Sequence, residues 1–196
     1  MYKTQILLQK IICFAALAVS ALMFVYSLGL MTDLYDSLYP TMMDPSNIDD
    51  TWVTGSQIYY HMQPFNKLLL VCSIGMVLLA CLLFITSTHS RRRYYVGNAA
   101  SVGLFALAGT AASVWSHLEL EKFKAEFLQI NFDELRDFAE MWETPYVDST
   151  FWFDAHYAVF GLMLLVVVLL VANYFWKLNL MKAEAKLLKE GRRASA

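Results

Sequence analysis

Charged side chains are missing from four long stretches of this 196-residue sequence. No Asp, Glu, Lys or Arg occurs in residues 11–30, 68–87, 96–116 or 157–176. A helix rises about 1.5 Å per residue, so about 20 residues cross the hydrocarbon layer of a bilayer. Because ionisable side chains inside a membrane usually mark ion paths or proton relays, their absence makes a proton-coupled transporter a poor candidate.

Several catalytic motifs are missing as well. The three cysteines, Cys13, Cys72 and Cys81, lie in apolar stretches and form no CxxC pair, which weighs against a thiol oxidoreductase. The sequence contains no phosphate-binding loop, dinucleotide fingerprint or nucleophile motif. The net charge of −2 gives no bulk attraction to nucleic acid, so we expect no nucleic-acid partner.

Apolar residues are present in excess, at 58% of the chain, against about 45–50% in soluble domains. The sequence predicts an all-α membrane protein, a four-transmembrane-helix bundle with a small helical extracytoplasmic cap, as one domain over residues 1–196. We expect the first apolar stretch to be a retained anchor, because it is longer than the apolar part of a signal peptide. The predicted spans are about 8–30, 66–87, 95–116 and 153–176, with outer segments 31–65 and 117–152 and a tail 177–196.

Basic side chains are unevenly distributed among the connecting segments. Most Lys and Arg residues lie in the first ten residues, in 91–93 and in 177–196, whereas 31–65 and 117–152 are acidic. The positive-inside rule places basic segments in the cytoplasm. We therefore predict a multi-pass protein of the cell (plasma) membrane with cytoplasmic N- and C-termini and both long loops outside.

The third span is rich in small residues. Gly103 follows Ala99 by four positions, and Ser113 follows Gly109 by four. Such spacing lets helix backbones approach closely in membranes. We predict helix packing at Gly103 and Gly109.

The segment 117–152 has the pattern of two amphipathic helices. Apolar residues recur at steps of three or four, as on one face of a helix. The two faces consist of Leu120, Phe123, Phe127 and Ile130, and of Leu135, Phe138 and Trp142. Asn131 and Glu134 are spaced as a capping pair that opens the second helix. We expect these helices to pack on segment 31–65, and we predict a partner or cap surface at Phe123, Phe127, Phe138 and Trp142.

Three histidines lie at the predicted outer ends of different spans. His61 precedes the second span, His117 follows the third and His156 begins the fourth. If they converge, their imidazoles could bind zinc, copper or haem iron, with Glu119 or Asp154 as a further ligand or orienting group. The alternative is that they are ordinary histidines of a wet membrane interface.

Two functions remain in competition. The first is a non-catalytic interaction or accessory subunit of a larger membrane complex, with the lipid bilayer and a membrane protein or a second copy as partners. The alternative is a metal- or haem-binding protein for redox chemistry or metal handling. A channel-forming oligomer is disfavoured because no polar stripe lines a pore. The four-span architecture is similar to that of claudins and tetraspanins, but their Gly-Leu-Trp and Cys-Cys-Gly motifs are missing.

Overall fold

The computed structural model describes residues 2–44, 47, 49–88 and 96–194, which form α-helices and no β-strand. The helices are α1 (Tyr2–Leu38), α2 (Ile58–Thr88), α3 (Val96–Phe127), α4 (Phe132–Trp142) and α5 (Phe151–Ala194). Helices α1, α2, α3 and α5 are long and apolar enough to cross a membrane. The prediction of an all-helical chain with four membrane-capable helices is confirmed.

The long helices extend beyond the predicted spans. Helix α3 continues without a break to Phe127, so the first of the two predicted amphipathic helices is its last part and not a separate helix. No Gly or Pro occurs between residues 110 and 127, and nothing in the local sequence stops the helix. Helix α5 likewise runs through most of the tail, which is rich in the helix-forming residues Leu, Lys, Ala and Glu.

Proline is best tolerated in the first turn of a helix, but Pro64 lies further along the second membrane-capable helix. Helix α2 begins at Ile58, so Pro64 lies inside it. The helix starts early because a turn at Gly55, with φ +92°, leads directly into it. Proline has no N–H, so the carbonyl of Tyr60 lacks its usual helical hydrogen bond.

The short helix α4 begins and ends as its sequence indicates. Asn131 takes an extended conformation, and its side chain accepts a hydrogen bond from the Glu134 N–H at 3.4 Å. After Trp142, Glu143 adopts the left-handed conformation with φ 53°, which ends the helix before Pro145. The predicted N-cap Asn131 is therefore confirmed, whereas the Glu134 carboxylate accepts from Thr54 N–H and not from Asn131 N–H.

Residue contacts divide the chain into two compact units. Unit 1 contains Met1–Ser20, Met76–Ala111 and Leu162–Ala196, and unit 2 contains Ala21–Gly75 and Ala112–Gly161. Each of the four long helices contributes residues to both units. The single domain over residues 1–196 stays a prediction.

Unit 1 has an apolar core with a polar network beside it. The network includes Gln5 Nε2, which donates to Gln9 Oε1 at 3.1 Å, and Lys177 Nζ, which donates to Asn98 Oδ1 at 3.2 Å. Such pairing reduces the cost of placing amide groups in a low-dielectric environment.

Unit 2 has a core of large side chains. Its fully buried members include Leu30, Met62, Leu120, Phe127 and Phe153. The Phe127 and Phe153 rings lie 5.0 Å apart and join the end of α3 to the start of α5. This packing fixes the two helices that carry the candidate site.

Large apolar side chains are also exposed along each long helix. Phe14, Val71, Leu107 and Val168, one on each of the four, are all more than 60% exposed. Contiguous apolar exposure is costly in water but natural against lipid. The helices therefore have the surface expected of an integral membrane protein.

Candidate functional site: a cluster of two histidines and a glutamate

Helices α3 and α5 bring two histidines and a glutamate together within unit 2. His117 and Glu121 are four residues apart on α3 and therefore lie on the same face of that helix. His156 faces them from α5. The ligand atoms of the three side chains all lie within 4.8 Å of one another.

The two imidazoles are in direct contact. His117 Nδ1 lies 2.8 Å from His156 Nε2. His156 is 1% exposed, and its Nδ1 forms a hydrogen bond with the carbonyl of Phe153. A carbonyl only accepts hydrogen bonds, so the proton is on Nδ1 and the Nε2 lone pair of the neutral ring faces His117.

Glu121 completes the cluster from the more open side. Its Oε1 lies 3.7 Å from His156 Nε2 and accepts a hydrogen bond from the Tyr157 hydroxyl at 2.5 Å. The Glu121 side chain is 41% exposed, whereas His156 is buried. The cluster therefore has one buried end and one end open to solvent.

The third predicted histidine does not join this cluster. His61, in the first turn of α2, forms a hydrogen bond with Glu126 near the end of α3. Glu126 follows His117 by nine residues, a rise of about 13 Å along a helix. The expected meeting of His61, His117 and His156 at one depth is therefore not found. His117 and His156 form a pair, and His61 lies apart from them.

The two carboxylates suggested as further ligands have other partners. Asp154 accepts hydrogen bonds from Lys124 Nζ at 2.5 Å and from the Thr150 hydroxyl at 2.7 Å. Glu119 accepts from Lys122 Nζ at 2.8 Å. The carboxylate beside the histidines is instead Glu121. Its spacing of four residues from His117 is the sequence signal that would have indicated it.

The two glycines predicted to pack helices differ. A Cβ added at Gly109 would lie 3.2 Å from Met76 Cε and 3.3 Å from Val167 Cγ2, within unit 1. A Cβ added at Gly103 would meet no described atom within 4 Å. The close approach expected at Gly103 is therefore not found among the described residues.

The four residues predicted for the partner or cap surface divide into two kinds. Phe127 is 1% exposed and belongs to the core, and Phe123 packs on Phe65 with ring centroids 5.4 Å apart. Trp142 is 61% exposed, with its ring 6.3 Å from that of Phe138. Of the four, only Trp142 is therefore largely exposed, because Phe123 and Phe138 are both half-buried.

Comparison with known proteins adds no further assignment. No family model, curated protein or solved structure matches the chain. The chemistry of the site is therefore argued from its own residues. Two imidazole nitrogens and a carboxylate oxygen are donors typical of transition-metal sites.

Proposed function

We propose that this chain is a non-catalytic interaction or accessory subunit of a larger complex in the plasma membrane. The observation that carries the proposal is apolar exposure outside the four membrane-capable helices. The large apolar side chains exposed there are those of Met43, Trp52, Leu128, Met141, Trp142 and Tyr146. Exposed Trp, Tyr and Met side chains are enriched at protein interfaces.

The proposed cap consists of α4 and the segment before α2. Two hydrogen bonds join them: Asn131 N–H donates to the Thr54 carbonyl at 3.0 Å, and Thr54 N–H donates to Glu134 Oε2 at 2.9 Å. A Cβ added at Gly55 would lie 2.9 Å from Ile130 Cα. These contacts support a folded cap, because they tie both loop segments together at one point.

The orientation proposal rests on charge. The acidic segments that carry the cap face outward, and the basic termini lie in the cytoplasm. In a background with the three natural cysteines replaced by alanine, Asp49→Cys should react with an impermeant thiol reagent added to intact cells. Lys186→Cys should react only after the membrane is opened. The reverse pattern would invert the topology.

The proposed contact surface is the C-terminal end of α4. Met141 is 74% and Trp142 61% exposed, next to the acidic side chains of Asp137 and Glu140. The acidic side chains beside this apolar surface favour a partner segment that carries basic as well as apolar residues.

Copurification from native membranes tests the accessory role. The wild-type chain should retain a partner in a fixed ratio, and the double variant Met141→Asp with Trp142→Asp should lose it. Leu128→Asp is the matched control, because Leu128 is also exposed but lies outside α4. A wild-type chain that purifies alone as a monomer would contradict the proposal, and a dimer in light scattering would identify a second copy as the partner.

The contact between His117 and His156 favours the metal- or haem-binding alternative as a second candidate. Two histidines that hold one haem would have to lie on its opposite faces, with the ring and its iron between them. The 2.8 Å separation of His117 Nδ1 and His156 Nε2 is too short for that arrangement. The spacing favours neighbouring ligands of a single ion over a haem.

A further inference from the structure

We propose that His117, Glu121 and His156 form a binding site for one divalent transition-metal ion of the Zn²⁺ class. The proposal is independent of the accessory role, because the site lies between α3 and α5 and uses no residue of the proposed contact surface. It assigns Glu121, and not Glu119 or Asp154, as the carboxylate ligand, and it leaves His61 out.

The distances between donor atoms fit a single ion. Two donors bound to zinc at about 2.0–2.1 Å and separated by a tetrahedral angle lie about 3.3–3.4 Å apart. The separations of 2.8 Å between the imidazole nitrogens and 3.7 Å between His156 Nε2 and Glu121 Oε1 lie on either side of this value. The third pair, His117 and Glu121, lies within 4.8 Å, so side-chain shifts of about 0.5–1.5 Å would bring the three donors into tetrahedral positions.

The groups around the donors are those that metal ligands use. A metal-binding histidine commonly donates its other ring N–H to a backbone carbonyl. His156 does this through Nδ1 to Phe153, which fixes its Nε2 lone pair toward the site. Glu121 Oε1 is held by the Tyr157 hydroxyl. Without metal, His117 Nδ1–H donates to His156 Nε2. To bind the ion through Nδ1, His117 would change to the tautomer with its proton on Nε2.

The donor set selects the class of ion. Ca²⁺ and Mg²⁺ require mostly oxygen ligands, whereas imidazole suits zinc, copper, iron and nickel. Three protein ligands leave a fourth tetrahedral position, which the half-exposed Glu121 side opens to water. Both supporting elements are helices, so the ligands are held on a rigid frame.

Metal titration of the full chain tests the site. Purified in detergent without a polyhistidine tag and stripped with a chelator, the protein should bind one Zn²⁺ per chain by calorimetry. Co²⁺ should produce the visible absorption of a tetrahedral site. Removing an outer-shell hydrogen bond typically weakens metal affinity about 10–100-fold. Tyr157→Phe should therefore weaken Zn²⁺ binding by a factor in this range, and Glu121→Gln should weaken it by more.

Matched variants separate this site from other histidines and carboxylates. His61→Gln and Asp154→Asn should bind Zn²⁺ as the wild type does, whereas His117→Gln should not. Each variant's thermal unfolding without metal shows whether it is folded, and Zn²⁺ should raise the melting temperature only where the three ligands remain. The proposal is overturned if the wild type binds no Zn²⁺, if Glu121→Gln binds normally, or if His61→Gln loses as much affinity as His117→Gln.

Discussion

The indole ring of Trp152, at the start of α5, lies directly against Gly29 of α1. A Cβ at residue 29 would overlap the ring atoms Cζ3 and Cη2. The neighbouring Tyr26 hydroxyl donates to the Trp152 carbonyl at 2.9 Å, which holds the end of the helix in this position. Among the described glycines, Gly29 leaves the least room for a Cβ.

Gly29→Ala should destabilise the protein by about 1–3 kcal/mol, because the added methyl group must displace a packed indole ring. Thermal unfolding in detergent measures the effect. Gly75→Ala is the matched control in the same unit, since a Cβ there meets no atom of the described residues within 4 Å. Equal melting temperatures for the two variants would contradict the close approach.

Gly109→Leu should also lower the melting temperature and reduce the free energy of unfolding by about 1–3 kcal/mol. The Met76 and Val167 side chains already lie near the position of its Cβ. Gly103→Leu, six residues earlier on α3, should be nearly neutral because that position is open. If Gly103→Leu proved the more damaging change, the original packing prediction for Gly103 would be right.

Phe127→Ala should destabilise unit 2 by about 3–5 kcal/mol, the usual cost of removing a buried aromatic ring. The ring is 1% exposed and contacts Phe132 and Phe153. The adjacent Leu128→Ala should change stability by less than about 0.5 kcal/mol, because Leu128 is 57% exposed. Chemical unfolding in detergent, followed by tryptophan fluorescence, distinguishes these two outcomes.

The hydrogen bond between Glu134 and Thr54 should make the proposed cap sensitive to acid. The Thr54 N–H stabilises the carboxylate and lowers the pKa of Glu134 below its ordinary 4.5. A lowered pKa in the folded state stabilises the fold above the unfolded pKa, and this contribution disappears as pH falls through the folded pKa. Protection of residues 49–57 from hydrogen exchange should therefore decrease in that acidic range.

Glu134→Gln should remove this pH dependence, while Glu140→Gln, on the same helix, should retain it. The wild type and the two variants are compared by their protection factors, corrected for the intrinsic exchange rate, between about pH 6 and pH 3. Identical profiles for the wild type and Glu134→Gln would show that the bond does not hold the cap segments together.

Several features of the fold could be predicted because they depend on local sequence. The N-cap Asn131 was found from its spacing to Glu134, since its hydrogen bond joins residues three positions apart. The end of α3 was missed for the opposite reason. The change from an apolar span to an amphipathic face at His117 leaves the backbone helical, so no residue marks a boundary.

The histidine cluster could be predicted only in part. The order of elements placed His61, His117 and His156 at the same ends of their spans, but this order does not determine height along a helix. His61 lies in the first turn of α2, whereas α3 continues for ten residues beyond His117. The longer α3 places Glu126, and not His117, beside His61.

The sequence by itself determined the four membrane-capable helices. Moving a charged side chain from water into lipid is costly, so a charge-free apolar run of about 20 residues indicates a membrane span. Only the tertiary structure decided which side chains meet. Glu121 joins His117 and His156, Trp152 lies on Gly29, and Gly103 stays open, because such contacts depend on the rotation and height of each helix. Small changes in either move a side chain to another neighbour without altering the apolar pattern.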